Sequence, residues 1–159
     1  MYKRPARILF LDPGQGTRAR IAQAWARELG SRWAEAGAAA MAAGHPRPDP
    51  KPIMDERGIP VDAAPCPIWT QALEDSWDLV VLLDAKGQGD WPHRIQGVRV
   101  KVWDLADSCP AGADGASIGA MRQCRDALRE RVEGLLGGFR MKAREDDNQP
   151  GMADDGNGP

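Results

Sequence analysis

The apolar positions fall into two kinds of run. Ile8-Leu9-Phe10-Leu11 is continuous, and so is the apolar centre of residues 78–84, Leu79-Val80-Val81-Leu82-Leu83. Runs of this length without polar alternation predict strands covered on both faces of a parallel sheet. Residues 98–103 (V-R-V-K-V-W) alternate with charge and predict a strand nearer an edge. Ile21, Trp25 and Leu29 share one stripe of a helix expected over residues 17–30. Ile118, Met121, Leu128, Val132, Leu135 and Phe139 recur at helical spacing and predict a long amphipathic helix over residues 117–139, fraying at Gly137-Gly138.

The intervening stretches are shorter. Residues 45–52 carry four prolines and predict a loop. A short helix is expected over residues 53–58, closed by Gly58, and another over residues 70–75. Residues 86–90 (K-G-Q-G-D) read as a mobile loop. The alanine-rich stretch 31–43 favours helix by propensity alone, although Gly37 interrupts it.

The first strand runs into Asp12-Pro13-Gly14-Gln15-Gly16-Thr17, and the helix opens at Thr17. Two glycines there are free to take positive φ, and Pro13 blocks continuation of the strand. A strand, a glycine turn and a helix N-terminus form an anion site, because backbone N–H groups converge where the helix dipole favours negative charge. Arg18, in the first helical turn, adds a guanidinium fork for an oxyanion. A plain βα turn has the same composition.

The 159 residues leave room for one domain. The net charge of −2 is uneven: residues 141–159 hold five acids and two bases, so residues 1–140 carry +1. An α/β body over 1–140 and a disordered acidic tail over 141–159 are expected. The near-neutral body argues against a nucleic-acid partner. No apolar run reaches membrane-spanning length and no signal-peptide core is visible, so a cytoplasmic protein without membrane contact is expected. Cys66, Cys109 and Cys124 form no C-x-x-C pair and no metal spacing, so free thiols and no metal are expected. His45 and His93 adjoin prolines and read as solvated loop residues. No Gly-Lys-Ser/Thr follows the glycines, which excludes a Walker loop, and no cofactor is implied.

The loop resembles the phosphate loop of the low-molecular-weight protein tyrosine phosphatases and the thioredoxin-coupled arsenate reductases. There the loop reads Cys-x5-Arg-Ser/Thr, and the cysteine thiolate attacks phosphorus or arsenic. Here Asp12 stands at the cysteine, Arg18 at the arginine and Ala19 at the hydroxyl position. The resemblance extends over roughly residues 6–139, through Ala42-Ala43-Gly44, Glu56-Arg57-Gly58-Ile59 and Trp103-Asp104-Leu105-Ala106-Asp107. It implies a three-layer α/β/α fold with a four-stranded parallel sheet, and it makes residues 31–43 the second, edge strand. It places the family's general acid at Asp107, although Ser108 replaces the family's proline. The reductases' two further cysteines fall on Leu83 and Trp91. Disulfide relay requires thiolates, so ordinary arsenate reductase chemistry is not expected. Ser108-Cys109-Pro110 offers no aromatic to flank a phosphotyrosine ring.

The resemblance therefore implies a degenerate member, a pseudo-phosphatase that binds a phosphate-like oxyanion or an unidentified protein partner. In this reading the Asp12 carboxylate accepts the loop's own N–H groups and meets Arg18. The alternative is an active phosphatase or arsenate reductase using Asp12 as a carboxylate nucleophile, or an unrecognised thiol. Position 14 is glycine, so the second aspartate of metal-assisted aspartyl phosphotransfer is missing.

Overall fold

A computed structural model describes residues 4–42, 44–83, 95–105, 109 and 117–147. In chain order the elements are β1 (Ala6–Asp12), α1 (Thr17–Gly30), β2 (Ala34–Ala40), α2 (Lys51–Asp55), α3 (Trp69–Ala72), β3 (Leu79–Leu83), β4 (Arg99–Trp103) and α4 (Ile118–Asp147). The four strands form one sheet in the order β2-β1-β3-β4, and every neighbouring pair is parallel. Phe10 of β1 sits opposite Ala38 on one side and Val81 on the other.

Alternation along β1 divides the core. Ile8 and Phe10 face a cluster built with α1, α2 and α4, including Ile21, Trp25, Ile53, Met54, Leu128 and Val132. Leu9 and Leu11 face a smaller cluster with Val80, Leu82, Trp69 and Ile95. Both faces of β1 and β3 are thus covered, which is why their sequences carry no polar alternation. The charged β4 lies at the edge, as its pattern predicts.

Residues 34–40 are a strand, against their alanine propensity. Seven residue pairs with β1 outweigh a local preference of a few tenths of a kcal/mol per residue. Gly37 has a packing role there: a β-carbon would come within 2.5 Å of the Trp77 ring.

Three expectations shift. The helix expected from residue 53 starts earlier, at Lys51, whose N–H donates to Asp49 Oδ1 at 2.9 Å, and Pro52 sits in the first turn, where a missing N–H costs nothing. It also ends earlier, at Asp55, and Gly58, at φ +69°, lies in the turn that follows. α4 does not end at the glycine pair but continues through Asp147, so its last residues lie in the stretch expected to be disordered. Met141-Lys142-Ala143-Arg144-Glu145 are good helix formers, and two glycines cost only about 2 kcal/mol against them. At the head of the same helix, Ile118 is half exposed (49 %) rather than packed with the rest of its stripe.

The cysteine expectation is overturned for two of three residues. Cys109 and Cys124 are joined by a disulfide, while Cys66 is free and buried. The Cys109 N–H donates to Leu105 O at 2.7 Å, and Cys109 meets Cys124 of α4. A sequence separation of 15 gives no hint of that approach. Among the described residues no helix is long and apolar enough to cross a membrane.

Candidate functional site

β1 delivers Asp12 to the carboxyl edge of the sheet, and Asp12 is only 2 % exposed. Pro13 to Gly16 turn away from the strand, and α1 then begins at Thr17. Gly16 precedes the helix at φ +101°, a conformation that L side chains rarely adopt. A β-carbon there would also meet Cys66 Sγ at 2.8 Å. The loop therefore needs glycine at 16 both for backbone shape and for space.

The Asp12 carboxylate lies inside this loop. Its Oδ1 accepts the Gly14 N–H at 2.8 Å and Arg18 Nη2 at 3.1 Å. Its Oδ2 accepts the Arg18 N–H at 3.0 Å and the Ala19 N–H at 3.4 Å. The first three are charge-assisted bonds of good length, and the last is marginal. Three backbone donors and a guanidinium thus serve both oxygens of one side chain, as they would serve two oxygens of a bound oxyanion. Arg18 is largely shielded, its side chain 15 % exposed.

Neighbouring segments fix the loop from outside. Met41 N–H donates to Asp12 O, and Ala42 N–H to Gly14 O. Thr17 Oγ1 donates to Pro48 O at 2.6 Å, which ties the proline-rich segment to the start of α1. Arg20, 3 % exposed, donates through Nη2 to Ala64 O and Pro65 O, and through Nη1 to Gln23 Oε1. These bonds hold the strap that seats Cys66 against Gly16, and the Cys66 N–H in turn donates to Gly44 O at 2.8 Å. Arg20 and Cys66 carry no recognisable motif, so nothing in the sequence marks them as loop supports.

Burial pushes the Cys66 thiol up to about 11, and Asp12 and Asp62 add to this against the opposing charge of Arg20. At neutral pH Cys66 is a protonated, inaccessible thiol, and Cys109 is held in the disulfide. Neither sulfur is an available thiolate.

Asp12, Pro13, Gly14, Gln15, Gly16, Thr17 and Arg18 form the turn between β1 and the start of α1. Asp107 and Trp91 lie outside the described residues, as does His93. Leu83 closes β3, fully buried, and His45 is exposed. Among the described residues no three His, Cys, Asp or Glu side chains converge as metal ligands.

Neither a protein-family model nor a curated protein matches the sequence. Solved structures match the fold. An arsenate reductase in a phosphate binding state superposes with a TM-score of 0.71 at 23 % identity, over 84 % of this chain and 98 % of that one. An arsenate reductase from Archaeoglobus fulgidus superposes at 0.65 and 21 % identity, over 82 % and 98 %. The YwlE arginine phosphatase from Geobacillus stearothermophilus gives 0.65 at 19 % identity, over 89 % and 97 %. The chain has the α/β fold of these enzymes.

Proposed function

We propose that this chain is a non-catalytic relative of the low-molecular-weight phosphatases and arsenate reductases, a cytoplasmic protein that acts by binding. The observation that carries this reading is the Asp12 carboxylate seated among the donors of the loop. A thiolate at that position would point its charge at a phosphorus or arsenic centre held above it. Here the side chain is itself the bound anion. An incoming oxyanion meets a like charge: at about 4 Å and an effective dielectric of ~20, the repulsion is roughly 4 kcal/mol. That is as large as two charge-assisted hydrogen bonds, so a free oxyanion binds weakly unless Asp12 is displaced or neutralised. The loop then serves as a preformed, self-closed anion site, and a phosphate-like group or a protein partner competes with Asp12 for it.

The rival reading keeps catalysis, with Asp12 attacking phosphorus to form an acyl phosphate. The retained Arg18 and the enzymes that share the fold support it. Against it stands the carboxylate's engagement: both of its oxygens accept hydrogen bonds, which lowers nucleophilicity.

Hydrolysis of para-nitrophenyl phosphate and reduction of arsenate separate the two readings. The binding reading expects no turnover above buffer. Turnover that Asp12→Asn abolishes would establish the catalytic one.

A further inference from the structure

A cavity runs along the outer edge of β2, and its lining includes no residue of the β1–α1 loop. It holds about 450 Å³, enough for one small organic molecule. Arg20 and Arg27 of α1 meet Asp62 in its lining, and Pro65, Pro67 and Trp77 give it apolar walls.

The charges of this cavity are not balanced. Arg20 is 3 % exposed and donates through Nη1 to Gln23 Oε1 and through Nη2 to Ala64 O and Pro65 O. Its Nε is buried and has no hydrogen-bond partner among the described residues. Asp62 Oδ2 stands 3.4 Å from Arg20 Nη1 and 3.9 Å from Arg27 Nη1, both longer than a good hydrogen bond. Two guanidinium groups thus share one loosely held carboxylate. Asp75, the other acid of the lining, is engaged elsewhere, with its two oxygens on Arg7. One positive charge is left over beside a buried cation with an idle donor. Such a cation is stabilised when a further anion joins it.

The edge of β2 does not suit an added strand. The Ala36 carbonyl already accepts from Gln23 Nε2 at 3.1 Å, and the Ala40 N–H donates to Pro67 O at 2.9 Å. A peptide pairing there would find both groups taken. A small molecule needs neither.

We propose that this cavity binds a small monocarboxylate with an apolar body. The carboxylate takes the place of Asp62 Oδ2 between Arg20 and Arg27, and its two oxygens suit a guanidinium with an idle Nε. The apolar body lies against Trp77, Pro65 and Pro67.

Benzoate is the probe, titrated into the full chain and followed by amide and indole NMR, with benzamide as its uncharged counterpart. Benzoate should shift the amides of Gly37 and Ala38 and the indole N–H of Trp77, and leave the Gly14 and Ala19 amides in place. Asp62→Asn removes the competing charge and keeps an amide oxygen for the Ala64 N–H, so benzoate affinity should rise roughly tenfold. Arg27→Gln, at a half-exposed side chain, should lower it roughly tenfold. Benzamide should bind at least roughly tenfold more weakly than benzoate. Shifts confined to Gly14, Arg18 and Ala19 would put benzoate in the β1–α1 loop and overturn the proposal. So would equal affinity for benzamide, no shift at millimolar benzoate, or an affinity that neither substitution moves. Should Asp62→Asn fail to fold, Arg27→Gln and the benzamide comparison decide.

Discussion

Gly16 and Cys66 are in contact so close that a β-carbon on the glycine would lie 2.8 Å from the sulfur. The contact couples the β1–α1 loop to the strap of residues 62–66 that Arg20 holds by the carbonyls of Ala64 and Pro65. It also has a direct energetic consequence. Gly16→Ala adds a methyl group into that contact at φ +101°, so backbone strain and overpacking combine. A loss of roughly 2–5 kcal/mol in urea unfolding is expected. Cys66→Gly in the same background should recover part of it, because the added methyl would meet both Cys66 Sγ and Cys66 Cβ, at 2.8 and 2.9 Å.

Asp12→Asn tests the loop from within. The amide keeps one acceptor but turns an NH2 group toward backbone donors, at positions now 2.8 and 3.0 Å from carboxylate oxygens. Buried donors facing each other are unsatisfied, and a loss of roughly 1–3 kcal/mol at neutral pH is expected. Denaturant midpoints of the two proteins measure it.

Glu56 gives the acid limb of stability a named contributor. Hydrogen bonds from Arg122 and then Arg125 hold its carboxyl down at about 2, below the usual carboxylate range. A depressed folded pKa contributes stability that is present above the unfolded value of about 4.3 and is lost as pH falls toward the folded one. Glu56→Gln should therefore flatten the pH dependence of the melting temperature between about 4.3 and 2 relative to the wild type. An unchanged slope would mean that the Glu56–Arg122 pairing is not kept in solution.

The frame of the resembled enzymes can be refilled. Asp12→Cys together with Ala19→Ser restores the nucleophile and the hydroxyl that supports its thiolate. Weak hydrolysis of para-nitrophenyl phosphate should appear in the double variant, and adding Arg18→Ala should abolish it.

The sheet was largely legible because β1 and β3 are buried on both faces, and that condition writes itself into sequence as unbroken apolar runs. β2 was not legible from propensity. Its strand state comes from pairing with β1 and from the Trp77 ring over Gly37, contacts that exist only after folding. The resemblance carried that assignment. The strand–turn–helix from Asp12 to Arg18 was legible because glycines, strand end and helix start are local in sequence. The supports were not: Arg20 meets Ala64 and Pro65 across more than forty positions, and Cys109 meets Cys124 where no local pattern announces it.

In the proposed binding function Asp12 occupies the site that an oxyanion would otherwise fill. Calorimetric titration of sulfate into the wild type and into Asp12→Ala measures it most directly. Removing the carboxylate removes a repulsion of roughly 4 kcal/mol and takes away the acceptor of the Gly14, Arg18 and Ala19 N–H groups. Asp12→Ala is expected to bind sulfate at least roughly tenfold more tightly than the wild type, a gain of about 1.4 kcal/mol or more. Sulfate should also raise the variant's melting temperature more than the wild type's. Equal affinities in the two proteins, or weaker binding in the variant, would contradict it.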